Sequence, residues 1–222
     1  MSSGPGDRPG RGLHGRRKGK PLSARRAGRM ATVLPRLAVD PAAAACTDAA
    51  RLFPGVPARV RLEIGFGGGE HLVSEATRNP DIGFIGVEPF VAGMAKAVSA
   101  IAEGEISNIR LFDDDAAVLL DWLPSSALEQ IDLLYPDPWP KKRHWKRRFV
   151  SPKNLERIAR VLMPGGRLRV ATDIPDYVAW TLAHVGADSC FAWEAERAED
   201  WRRPFPGWPG TRYETKALSA GR

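Results

Sequence analysis

Arg61-Leu62-Glu63-Ile64-Gly65-Phe66-Gly67-Gly68-Gly69-Glu70-His71 is the stretch that decides the fold. Val60, Leu62 and Ile64 alternate along one face of a short strand, four glycines follow, and a helix is expected to open near Glu70. Glycine has no Cβ, so a loop rich in it lets backbone come close to a ligand. A strand, a glycine loop and a helix form the repeating unit of open α/β sheets, which bind ligands at the carboxyl ends of their strands. Spacing disfavours one ligand class and excludes another. The dinucleotide fingerprint requires a third glycine where Glu70 stands, and no Gly-Lys-Ser/Thr follows to make a P-loop.

Upstream of this unit, residues 1–36 hold ten Lys/Arg against a single acid, Asp7. That local +9 exceeds the +7 of the whole chain, so the rest is slightly acidic and the basicity is confined to a tail. Residues 1–30 are rich in Gly, Pro, Ser and Arg, too poor in large apolar side chains to offset ordering entropy, and most of them are expected to be disordered when free. Such a tail suits a sequence-independent grip on phosphates, with a merely solubilising tail as the alternative. Residues 37–222 are long and apolar enough for one domain. No apolar run follows the basic N-terminus, so neither signal peptide nor membrane anchor is expected, and the protein reads as soluble and cytoplasmic. Cys46 and Cys190 make no zinc or redox spacing with each other or with the four histidines, so no metal is expected.

Asp40-Pro41 is expected to open a helix that stops before Pro54-Gly55. Downstream of the glycine loop, a second strand spans Gly83–Val87 and ends at Glu88. Val91, Met94, Ala95, Val98, Ile101 and Ala102 then recur at helical spacing. Asn108–Phe112 and Ile131–Tyr135 read as the third and fourth strands, ending at Asp113-Asp114-Asp115 and Pro136-Asp137-Pro138-Trp139. Ser151-Pro152 caps a helix that Met163-Pro164-Gly165-Gly166 terminates. Strand five, Arg167–Ala171, ends at Thr172-Asp173, and a helix covers Pro175–Val185. Phe191–Glu196 and Arg212–Leu218 read as two last strands. The alternation predicts a doubly wound, mostly parallel seven-stranded α/β sheet whose C-terminal pair is antiparallel.

Each of the first five strands ends in or beside an acid: Glu63, Glu88, Asp115, Asp137 and Asp173. A doubly wound sheet opens those ends onto one rim. Glu63 leads an acidic-x-Gly-x-Gly-x-Gly run through Gly65, Gly67 and Gly69, which resembles the first motif of S-adenosylmethionine-dependent methyltransferases. The chemistry agrees, since the adenosyl part of that cofactor bears no phosphate and its amino and sulfonium groups are cationic. Glu88 is placed to accept from ribose hydroxyls. Asp115 is placed to accept from an adenine amino group, with Asp114 as its rival.

Lys141 to Arg148 carries six Lys/Arg and His144, broken by Trp145 and preceded by Trp139. Cations attract phosphates and an indole face lets a base stack, so Lys142, Arg143, His144, Lys146, Arg147 and Arg148 are expected to bind RNA. A solvated basic loop is the plainer alternative. The combination LEIGFGGGEHL, GVEPF, PDPWPKKRHWKRRF, GGRLRVATDIPDY and TRYETK, over roughly residues 60–217, resembles the bacterial tRNA (guanine-N7)-methyltransferases. Gly15–Gly19, with Arg16 and Arg17, is similar to that family's basic N-terminal element. The resemblance implies a class I, Rossmann-like fold with S-adenosylmethionine held by Glu63, Glu88, Asp115 and Asp137. It places Asp137 at the reaction centre and Lys141, Asp173, Thr211, Arg212, Tyr213 and Glu214 on the substrate guanosine. It also implies tRNA as partner, with a variable-loop guanosine as target, and a monomer or weak homodimer. Trp145 and the insert Trp201–Pro209 depart from the family pattern.

Guanine N7 carries an in-plane lone pair and no proton, so its methylation by single displacement needs no general base. Alignment and carboxylates facing the developing purinium are the expected means. Three rivals stand beside this reading, of which a nicotinamide dehydrogenase is the weakest because of the glycine spacing. An amino-directed nucleic-acid methyltransferase often carries Asp/Asn-Pro-Pro-aromatic at the fourth strand end, and Asp137-Pro138-Trp139 is one proline short. A non-catalytic RNA-binding protein on the same scaffold is free to lose the rim carboxylates, all five of which are present.

Overall fold

A computed structural model describes residues 17–219 and 221. Five strands make one wholly parallel sheet: β1 Arg59–Ile64, β2 Ile82–Val87, β3 Ile109–Phe112, β4 Leu128–Leu134 and β5 Leu162–Ala171. Their order is β3-β2-β1-β4-β5. The helices are α1 Ala24–Thr32, α2 Leu34–Leu37, α3 Glu70–Arg78, α4 Val91–Glu103, α5 Ala116–Trp122, α6 Pro152–Val161, α7 Pro175–Gly186, α8 Glu199–Arg202 and α9 Arg212–Ser219. The winding reverses between β1 and β4, which leaves a crevice above their carboxyl ends.

Burial on both faces explains why these strands read as nearly unbroken apolar runs; every residue of β2 is buried. Leu37, Leu72, Met94, Val98 and Ile101 from α2, α3 and α4 pack on Ile82, Phe84, Ile109 and Leu111. On the opposite face Leu119, Leu120, Leu155, Ile158, Val161 and Tyr177 from α5, α6 and α7 pack on Leu62, Ile85, Ile131 and Leu133. Each such side chain contributes about 1.5–3 kcal/mol by leaving water. Capping is local. Asp115 accepts from Ala117 N at 2.9 Å to start α5, while Ser151 and Pro152 start α6 as expected.

Three expectations are corrected. The sheet has five parallel strands and not seven with an antiparallel pair. Residues 212–219 are helical because Thr211 and Glu214 form a capping box: Glu214 N donates to Thr211 Oγ1 at 3.0 Å and Thr211 N to Glu214 Oε2 at 3.3 Å. Phe191–Glu196 is irregular and reaches β5 through the Arg167–Glu194 ion pair, 3.2 Å. Second, no helix follows Asp40-Pro41. Asp40 accepts from Ala42 N in a tight turn, the alanines after it offer little to bury, and Asp48 starts only a 3₁₀ turn, Ala49–Leu52. Third, Met163-Pro164-Gly165-Gly166 is a bulge inside β5, marked by the register break opposite Leu128 and Gln130. The described part of the N-terminal stretch contains α1, which docks on α4 through Arg29, 2.5 Å from Glu103, and through Met30. Residues 1–16, including Arg16, lie outside the described residues. Among the described residues no helix is long and apolar enough to cross a membrane.

Candidate active site

The glycine loop has the strained backbone that its composition allows. Gly65, Gly67 and Gly69 have φ of 73°, 58° and 81°, a region that side chains disfavour. A Cβ on Gly69 would lie 2.7 Å from Ala97 Cβ, and one on Gly93 would collide with Gly67 O. The glycines therefore let α4 close against the loop. Gly65 differs, with nothing within 4 Å of the place its Cβ would take. That open side is where backbone can meet a ligand.

Glu88, at the end of β2, is buried and ties the glycine loop to the start of α4. Gly67 N donates to its Oε2 at 2.7 Å and Phe90 N to its Oε1 at 2.8 Å. Desolvation raises its pKa against those two bonds, and the charge of Asp137 raises it further, so the two carboxylates share one field. Asp137 reaches solvent at the mouth, yet the crowded loop around it desolvates the carboxyl and raises its pKa as well. Asp115 shares its carboxylate with the α5 cap, and its neighbour Asp114 binds Arg17 at 3.0 Å. Arg17 also donates to Asp113 O, and its own carbonyl accepts from Val91 N at the start of α4.

Glu63 lies apart from this mouth. It is 5% exposed, and its Oε2 is 2.8 Å from His71 Nδ1. The pair ties the end of β1 to the first turn of α3, bracketing the glycine loop. Desolvation lowers the pKa of His71, but the hydrogen bond with Glu63 and the charges of Glu63, Asp132 and Glu75 outweigh it and raise the value.

Beyond β4 the chain is bent hard. Tyr135 and Trp139 are non-glycine residues at φ of 50° and 42°, and between them lie Pro136, Asp137 and Pro138. Tyr135 N donates to Ala171 O at 2.7 Å, so the end of β5 holds the bend. Desolvation, with the charges of Glu214 and Asp173, pushes the Tyr135 phenol up to about 12. Asp173 and Glu214, expected on the substrate, are thus both near enough for their charge to bear on this phenol. Thr211 and Arg212 open α9 next to them; the side chain of Tyr213 lies outside what is described.

The basic run forms a 3₁₀ turn, Lys142–Arg147, leaving Lys141, Lys142, Arg143 and Lys146 exposed. Indoles brace it. Arg147 lies 5.0 Å from the ring centre of Trp139, whose edge meets His144, and Trp145 packs on Trp180 at 5.5 Å. His144 has its pKa lowered by desolvation and by Arg147, Arg143, Lys141 and Lys146, so it is a neutral member of the group. Arg148 corrects the expectation that the whole run faces RNA. Its side chain is fully buried among Trp145, Tyr177 and Trp180, donates to Pro138 O at 2.9 Å and pairs with Asp176. It anchors the loop to α7 and cannot reach a phosphate. Trp145 Nε1 and Arg147 Nε are buried donors without a partner among the described residues.

Sequence reasoning missed Tyr135, which reads as the last apolar residue of a strand, and His71, a lone histidine at a helix start. It also missed Trp208, part of an unfamiliar insert. Only the Glu63-x₇-His71 spacing across the glycine loop carried a signal, because that loop must bring its two ends together. Among the described residues no cluster of three or more His, Cys, Asp or Glu is placed to hold a metal. The crevice fits S-adenosylmethionine: a side-chain-free wall at Gly65 admits an adenosyl group, and Glu88 and Asp137 supply acceptors for hydroxyls and negative charge for a cation.

A family model described as a putative methyltransferase matches residues 57–222. A tRNA (guanine-N(7)-)-methyltransferase of Mesorhizobium japonicum is 56% identical over 221 residues, covering 98% of this chain and 95% of that protein. One from a Chelativorans species is 59% identical over 210 residues, 94% of this chain and 90% of the other. A solved antibiotic-related methyltransferase is a distant likeness, 16% identical over 61% of this chain and 68% of that one, with a TM-score of 0.47. With a glycine-lined crevice, carboxylates at its mouth and near-full-length identity of this order, the chain belongs to the tRNA (guanine-N7)-methyltransferase family.

Proposed function

We propose that the protein transfers a methyl group from S-adenosylmethionine to N7 of a guanosine in tRNA, forming 7-methylguanosine in the cytoplasm, with a variable-loop guanosine as the target. The observation that carries this reading is one of placement. The charge of Asp137 bears on Glu88 beside the glycine loop, those of Asp173 and Glu214 bear on Tyr135 two residues before Asp137, and the exposed cations leave the same strand end.

Glu63, Glu88, Asp115 and Asp137, with the backbone of Gly65, Gly67 and Gly69, hold the cofactor in this reading. Glu63 acts by fixing the loop through His71. When bound, the cofactor supplies an electrophilic methyl group on a sulfonium. Asp137 offsets the positive charge that develops on the purine, and a preorganised carboxylate in a partly desolvated site does this at little reorganisation cost. Asp173 and Glu214 accept from guanine N1–H and N2–H₂. Adenine presents an acceptor at N1 and would leave a carboxylate unpaired, so the same pair discriminates between the purines. Lys141, Thr211, Arg212 and Tyr213 complete the substrate side. Lys142, Arg143, His144, Lys146 and Arg147 grip the backbone with Arg16 and Arg17, and the target base leaves its stack to enter the pocket.

The test is incubation with unmodified tRNA and methyl-labelled cofactor, followed by digestion to nucleosides. Label in 7-methylguanosine is expected; label in an exocyclic-amino product, or none, overturns the reading.

A further inference from the structure

The insert Trp201–Pro209 has no part in the scheme above, yet it runs from the substrate side to the glycine loop. Trp208 Nε1 donates to Glu214 Oε2 at 2.6 Å, the same oxygen that takes Thr211 N at 3.3 Å. Its ring lies 5.1 Å from that of His71, which is bonded to Glu63 beneath the glycine loop. The insert is itself pinned. Phe205 packs edge-on against Trp208 at 5.0 Å, Arg169 of β5 lies 4.5 Å over Phe205, and Trp208 N donates to Phe205 O at 3.1 Å. Gly207, at φ 79°, makes the turn where Arg78 crosses so closely that a Cβ would strike its Nη1.

An indole N–H is a donor only, and a backbone carbonyl would have satisfied it. Here it is committed to a carboxylate oxygen already engaged in a helix cap. A glutamate has three side-chain torsions to order before it can meet a ligand, and two donors on one oxygen order them in advance. Among the described residues no hydrogen bond reaches the second oxygen, which leaves it to face an incoming donor.

We infer that Trp208 is a positioning residue, its N–H holding the Glu214 carboxylate in register for guanine's N1–H and N2–H₂, and its ring tying that carboxylate to the α3 side of the cofactor loop through His71. The inference rests on the reading of Glu214 as an acceptor for the guanine edge. It makes the insert a specificity element and not a surface decoration.

The experiment compares steady-state kinetics on two ligated tRNAs, one with guanosine and one with inosine at the target position. Inosine keeps N7 and N1–H and lacks the 2-amino group. Trp208→Phe keeps an aromatic ring, though a smaller one, and removes the N–H. It is expected to raise KM for the guanosine tRNA about tenfold, to bring the guanosine-to-inosine preference near that of Glu214→Gln, and to leave KM for the cofactor within about twofold. The double variant should be no worse than Glu214→Gln, and Trp208→His, which restores a ring N–H, should recover part of the preference. A thermal melt beside each assay separates these effects from loss of fold, which would depress both substrates equally. If Glu214→Gln changes KM and preference while Trp208→Phe changes neither, or if the two losses simply add, the positioning role is overturned and the pocket reading stands. If Glu214→Gln changes neither, both fall.

Discussion

Asp137 owes its place to its neighbours. Pro136 and Pro138 fix φ on either side of it, and Tyr135 and Trp139 are held in left-handed backbone that costs about 1–3 kcal/mol each. A carboxylate so constrained needs little rearrangement as charge grows on the purine. Asp137→Ala should therefore lower kcat by about 10²-fold or more while leaving tRNA affinity nearly intact. Filter binding beside a methyl-transfer assay checks this, and an equal loss of both would remove Asp137 from the reaction centre. The pH dependence follows from its environment. Partial desolvation raises its pKa above the ordinary 3.8, and the proposed role uses the ionised form. Activity should then fall with acid sooner than for an ordinary aspartate, and a kcat/KM profile flat down to pH 4 would contradict it. That an acid stands after the fourth strand was legible from the apolar run before Asp137, whereas its proposed place at the reaction centre came from the family resemblance, since prolines and aspartates also make plain turns. The role of Arg148 was not legible. Nothing in a run of six cations says which guanidinium turns inward, and the cage that receives it is supplied partly by Tyr177 and Trp180 of α7.

Among the elements, the basic turn behaves as a plate bolted to α7. Arg148→Met keeps much of the volume and loses the charge-assisted bonds, with an expected cost of about 2–3 kcal/mol. Half of Asp176 faces water, so its side of the pair adds little. Thermal melting measures the cost, and tRNA affinity should fall further than removal of one exposed cation such as Lys146 makes it fall. Equal losses would mean that the turn keeps its shape without the anchor. The second joint, between β1 and α3, is sensitive to pH. The His71 pKa is raised above its ordinary 6.5, so the stabilisation due to its proton is full below about pH 6.5 and is lost as pH rises through the folded value. The melting-temperature gap between the protein and its His71→Gln variant should be wide at pH 6 and narrower at pH 9; a constant gap would assign His71 to packing alone. The parallel elements were readable from their apolar runs and caps. The last stretch was misread because Arg212–Leu218 alternates like a strand, and the Thr-x-x-Glu that makes it a helix outweighs the alternation.

For the whole molecule, charge is divided between a tail and one turn on a slightly acidic body. Removing residues 1–20 deletes six of the ten tail cations and the Arg17–Asp114 ion pair, while leaving α1 docked on α4. Affinity for tRNA should drop, and the slope of log K against log salt should flatten by about 0.7–0.9 for each phosphate no longer neutralised. Binding unchanged across several salt concentrations would return the tail to a solubilising role. The sheet's two margins differ in a way that reaches beyond catalysis. At β3 the border is closed by the bridge between Ala38 and Leu111, whereas β5 is hydrogen-bonded to β4 alone among the described strands. A bare strand border is a template on which another chain can grow, and proteins guard such borders with charge, proline and bulges. Arg167, Pro164 and the bulge around Gly165 supply all three guards. Shelf life at high concentration should thus depend on a few side chains remote from the chemistry: replacing Arg167 with valine is expected to leave turnover alone and to make the protein cloud on storage.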